Sequence, residues 1–120
     1  MTKQQAVHNF WKSFGLSAYD ENTVPDEAKL PYITYETADD EFNNDLYLSA
    51  MIWYRSSSWA EITEKEEEIA DFISRGGRMV AYDNGAFWLR KGTPWAQRMP
   101  EEADEMVRKI ALNIVIEFLD

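Results

Sequence analysis

The sequence predicts an α+β fold: a mainly antiparallel sheet of about five strands, one main helix packed on it, and a short N-terminal helix. Three observations predict it. Residues 45–55, DLYLSAMIWYR, put Leu46, Leu48, Ala50, Ile52 and Tyr54 on one side of a strand and Tyr47, Ser49, Met51, Trp53 and Arg55 on the other. A half-solvated strand alternates apolar with polar; this one alternates aliphatic with aromatic and amphipathic, so both faces need partners. Next, Ile62, Ile69, Phe72 and Ile73 recur at helical spacing, while Glu64, Glu66, Glu67, Glu68 and Asp71 fill the exposed arc. Finally, two β-rich runs, 78–82 and 86–90, flank Asp83-Asn84-Gly85, where Asn84-Gly85 is a strong hairpin-turn signal because both residues accept positive φ.

The remaining elements follow in order. Residues 3–14, KQQAVHNFWKSF, suit a cover helix with Val7, Phe10, Trp11 and Phe14 on one side and Gly15 as its end. Residues 17–29 are polar and acidic, contain Pro25 and lack periodicity, and so read as a loop. Residues 30–37, LPYITYET, are rich in β-formers, with Pro31 placed to suit the start of an edge strand. Through the acidic loop 38–44 they form a hairpin with 45–55.

Ser58-Trp59-Ala60-Glu61 has the form of a capping box, which starts the main helix, and Gly76 is placed to end it in a left-handed conformation. That helix should cross the aliphatic face of 45–55. Tyr47, Met51 and Trp53 are then left for the N-terminal helix or another subunit to cover. Residues 92–100 read as a loop closed by Pro94 and Pro100, with Trp95 plugged against something apolar, and 101–105 as a helical turn. From Ile110 on, β-branched content favours a long strand over 106–119.

A chain of 120 residues suits one domain with a real core. Its 45% hydrophobic content excludes disorder for most of its length. It has no cysteine, so a disulfide framework and a thiolate metal site are excluded. No run approaches the ~20 apolar residues of a membrane span, and the polar N-terminus lacks a signal peptide's apolar core; a reducing cytosolic setting follows. The net charge of −10 argues against a nucleic-acid-binding surface. Its distribution says more: residues 20–45 carry nine acids against Lys29 alone, and 75–98 carry Arg75, Arg78, Arg90, Lys91 and Arg98 against Asp83 alone.

His8 is the sole histidine, which excludes Ser/His/Asp triads and multi-histidine metal sites by inventory; it reads as a solvent-facing helix residue. Asp39, Asp40, Glu41 and Asp45 have the oxygens for a hard cation but no glycine where a tight calcium loop needs one, so a solvated acidic loop is the reading. Gly76-Gly77 ends a helix and does not open one, unlike a phosphate cradle. The run Glu64 to Glu68 has the spacing of a solvated helix face. Trp53, Trp59, Trp88 and Trp95 stand evenly between core burial and service as interface anchors. No acid/base pair and no cofactor motif is found, which favours an assembly component over an enzyme.

The order of segments, from LPYITYE through LYLSAMIWYR and SWAEITEKEEEIADFI to RMVAYDNGAFWLRKG and a β-rich C-terminus, resembles the tail terminator, or tail completion, proteins of tailed bacteriophages. It covers nearly the whole chain. The resemblance implies a structural virion protein, assembled in the host cytoplasm, that forms a ring, typically of six. Such a ring caps the head-proximal end of the tail tube, stops its polymerisation, and joins the tail to the head connector protein. DNA only passes through the lumen, which an acidic balance suits.

A ring needs two different complementary patches per subunit. The candidates are the acidic Asp39, Asp40 and Glu41 of one copy against Arg78, Arg90, Lys91 and Arg98 of the next, with Trp88 or Trp95 as buried anchors. The competing reading is an acidic inhibitor or antitoxin-like protein that binds a basic partner, which would gain nothing from the basic segment.

Overall fold

A computed structural model of the chain describes residues 1–40 and 44–120. Its elements are α1 (Lys3–Lys12), β1 (Ser17–Asp20), β2 (Tyr32–Tyr35), β3 (Asp45–Arg55), α2 (Ala60–Ile73), β4 (Arg78–Tyr82), β5 (Gly85–Met99) and β6 (Val107–Phe118). The fold is α+β. Six strands form one sheet in the order β1-β2-β3-β6-β5-β4. All neighbours are antiparallel except β1 and β2, which run parallel, so the sheet is mixed. Both edge strands, β1 and β4, lie against α1, which means that the sheet curls until its two edges approach one helix.

The register of β3 with β6 sets Ala50 opposite Leu112 and Ile52 opposite Ile110, and the same side continues through Ile33 of β2 and Phe87 and Leu89 of β5. Both helices close over this side. Trp11, Ile62, Ile69, Ile73 and Phe87 are at most 1% exposed, and Phe10 and Phe14 meet Phe72 of α2 at ring separations of 6.1 and 5.4 Å. Burying a side chain of this size stabilises by about 2 kcal/mol. α1 is therefore a core element, tied at its start by a capping box in which Thr2 accepts from the Gln5 amide and Gln5 accepts from the Thr2 amide.

Several local expectations are overturned. Residues 17–20 are a strand, because Ala18 is buried while Ser17–Asp20 pairs with Tyr32–Tyr35; β2 is thereby interior and β1 is the edge. The capping box at Ser58 does not form: helix α2 starts at Ala60, and the Ser58 hydroxyl instead accepts from the Ala60 amide at 3.0 Å. Gly76 does not take a positive φ; Ser74 (φ 66°) and Gly77 (φ 92°) do.

The hairpin turn is shifted by one residue. Tyr82 pairs with Gly85, so Asp83-Asn84 form the two-residue connection without positive φ. Residues 92–99 are no loop. They continue β5, with a register shift between Lys91 and Ala96 that accommodates Pro94, which has no amide to give a ladder. No helical turn occurs at 101–105.

Candidate functional site

The assignment of side chains to the two faces of β3 agrees with the sequence, but α1 does not cover the second face. Tyr47, Met51 and Trp53 belong to an outward surface that continues through Tyr19 and Tyr32 on one side and Val115, Lys109 and Arg90 on the other. Lateral packing shields its centre. The Trp53 indole donates to Thr34 Oγ1 at 3.0 Å, Lys109 Nζ stands 5.0 Å over its ring, and Tyr32 meets it at 5.9 Å. Tyr47, near the strand end, is 77% exposed.

The predicted interface residues do not gather into one patch. Asp39 is held within the chain: Lys3 Nζ lies 2.8 Å from Asp39 Oδ1 and 2.8 Å from Asp120 Oδ2. Hydrogen bonds donated to Asp120 and then to Asp39 raise the Lys3 ammonium above its ordinary pKa, and the same ammonium holds the Asp39 carboxyl below its own. Asp40 follows, with its amide on Asp39 Oδ1. Glu41, with residues 42 and 43 of the acidic loop, lies outside the described residues.

Arg90 also serves its own chain. Its guanidinium lies 3.0 Å from Asp45, 3.7 Å from Glu117 and 4.6 Å from the Trp88 ring centre. Trp88 donates to the Gly76 carbonyl at 3.0 Å, across a turn where a side chain on Gly77 would collide with the indole nitrogen. Trp95 packs against the core and donates to Glu66 of α2 at 3.1 Å, which satisfies the expectation that it plugs an apolar surface.

Arg78 lies 4.2 Å over Phe72 and donates to its carbonyl, and Arg98 lies 4.6 Å over Trp59. Arg78, Lys91 and Arg98 make no ion pair among the described residues. His8 is not merely solvent-facing, since its Nδ1 stands 2.9 Å from the Tyr35 hydroxyl.

Two features escaped the sequence reading. One is the Lys3 bridge between the acidic loop and Asp120, for which three residues far apart in sequence give no local signal. The other is the 101–104 segment as an acidic strap: Glu101 lies 3.5 Å from Lys109 and Asp104 lies 2.8 Å from Arg55. The Ala103 and Met106 amides, followed by these cations, hold the Glu101 and Asp104 carboxyls below their usual range.

No protein-family model matches the chain, and no curated protein matches it in sequence. Its fold is similar to that of a chain in the solved virion of a native gene transfer agent (GTA) particle, with a TM-score of 0.68 at 16% identity. That likeness covers 97% of this chain and 93% of the other, so it is a likeness of whole fold to whole fold.

Proposed function

We propose that the protein is a structural subunit of a phage-type virion, a tail terminator that rings the head-proximal end of the tail tube, halts its growth and joins it to the head connector. The observation that carries this reading is the fold likeness over nearly the full length of both chains to a chain of a gene transfer agent virion. The order of segments independently resembles the tail terminator family. The outward sheet surface, with an exposed Tyr47 and half-buried Met51 and Trp53, is of the amphipathic aromatic kind that subunit contacts use. Within this reading Asp39 and Arg90 hold their own chain in shape, and Arg78, Lys91 and Arg98 are the cations left for a neighbour's acids. Exposed pairs contribute only ~0–1 kcal/mol each, so they set register while apolar contacts supply affinity.

Electron microscopy of particles made with and without the protein tests this. With it, tails of uniform length joined to heads are expected; without it, overlong or unjoined tails. Normal, joined tails in its absence would overturn the reading.

A further inference from the structure

A groove of about 370 Å3 runs between α1 and edge strand β4. Ala6 and Phe10 form one wall, Met79, Val80 and Ala81 the other, and Phe72 lies at its side. Phe72 is 40% exposed and Met79 56%, an unusual pairing of large apolar side chains at an open strand edge.

The hydrogen-bonding capacity of that edge can be read from the register. The β4–β5 ladder closes on Tyr82 opposite Gly85 across a two-residue turn, which makes this a hydrogen-bonded pair and sets the alternation for the rest of the ladder. The amides and carbonyls of Ala81 and Met79 therefore point away from β5. In agreement, Ala86, opposite Ala81, gives its carbonyl to the Leu119 amide in the other direction. Met79 and Ala81 take no backbone partner for these groups among the described residues. Two residues beyond Ala81, the Asp83 amide donates to the Met1 carbonyl at 2.9 Å, so the outward row already accepts one chain segment at its end.

Such an edge adds an extended segment and not a helix. Arg75 and Arg78, where α2 gives way to β4, make no ion pair among the described residues and call for acids on the incoming segment. The described acidic segments are few. Asp39 is tied to Lys3 and Asp45 to Arg90, the 101–104 strap is tied to Lys109 and Arg55, and the acids of α2 belong to a helix. Residues 21–28, ENTVPDEA, differ: Glu21, Asp26 and Glu27 are exposed and free of ion pairs among the described residues. Beyond the Glu21 amide, the hydrogen bonds of this segment reach no further than Asp20 and Pro25.

We infer that the groove between α1 and β4 receives the acidic loop 21–28 of a second copy. The loop adds as an extended segment along Met79 and Ala81, with Val24 toward the apolar walls and Asp26 and Glu27 beside Arg75 and Arg78. Loop and groove are different surfaces, so the contact is head-to-tail, as a ring requires. The inference rests on the ring-forming reading and names the contact that builds the ring.

Because the chain has no cysteine, a disulfide placed by design gives a clean test. Val24→Cys and Ala81→Cys in one chain should yield covalent multimers on oxidation, in particles and in concentrated protein, while either single variant stays at background. Adding the exposed Arg75→Glu should slow cross-linking by up to about fivefold, the worth of one exposed pair, and further adding Asp26→Lys with Glu27→Lys should restore it. Tails that are capped normally yet hold no cross-linked copies would overturn the docking and leave the terminator reading standing. Cross-linked multimers of a protein that joins no tail would do the reverse. Equal cross-linking by the single variants would also overturn the docking.

Discussion

Strand β3 presents two faces that both carry large apolar surface, one aliphatic and one aromatic and amphipathic, and they meet different fates. On the inward face Ile52 is 0% and Ala50 3% exposed beneath the helices; on the outward face Tyr47 is 77% exposed and Trp53 is half-buried by strand neighbours alone. Two-sided apolarity therefore does not mean two-sided cover within one chain. The inward side chains are mostly aliphatics, which only close packing satisfies. The outward ones carry a polar handle, as the Trp53 indole does toward Thr34, and tolerate a wet surface until a partner arrives.

Three substitutions probe that contrast, from the largest effect to the smallest. Trp11→Ala empties the centre of the inward layer, where the indole is 1% exposed, and should cost about 3–5 kcal/mol, a large share of a small domain's stability. Chemical denaturation measures it, and a loss under 1 kcal/mol would mean that α1 is a detachable arm. Trp53→Ala on the outward face removes one hydrogen bond from Thr34, itself 7% exposed, and the cover it gives; about 1–2 kcal/mol is expected, clearly less than for Trp11. Equal losses at both positions would erase the distinction between the faces. Tyr47→Ser should leave the melting curve within about 0.5 kcal/mol of the parent while weakening incorporation into particles. A destabilised Tyr47→Ser monomer would show that Tyr47 serves the fold instead.

Legibility from sequence followed the strength of the local pattern. β3, α2 and β6 were readable because eleven or more residues of steady period outweigh any single breaker. β1 was not, since SAYD has one buried residue and owes its conformation to parallel pairing with β2 and to Ala18 lying in the core. The far half of β5 was hidden by Gly92, Thr93 and Pro94, which signal a loop wherever a register shift has not been recognised. Ser58 and Asn84-Gly85 marked a helix start and a hairpin turn near where they occur, but neither the capping box nor the positive-φ turn forms: the Ser58 hydroxyl takes the Ala60 amide, and Asp83-Asn84 make the connection.

Among the site residues, the segregation of acid from base was visible, yet sequence has no means of telling that Asp39 and Arg90 are already satisfied at home by Lys3, Asp45 and Glu117. The β4 edge groove, similarly, exists only because α1 comes to rest beside a strand some seventy positions later.

The position of β6 bears on how the chain is made. This strand is the last of the six to leave the ribosome, yet it lies between β3 and β5 and pairs with β3 from Asp45↔Glu117 to Arg55↔Val107. Until it emerges, β3 and β5 each carry an unsatisfied long edge, and the inward aliphatics of both lack the Ile110, Leu112, Ile114 and Ile116 that complete their layer. A nascent chain stalled before residue 107 is thus two half-sheets with sticky borders, the kind of species that chaperones hold or proteases clear.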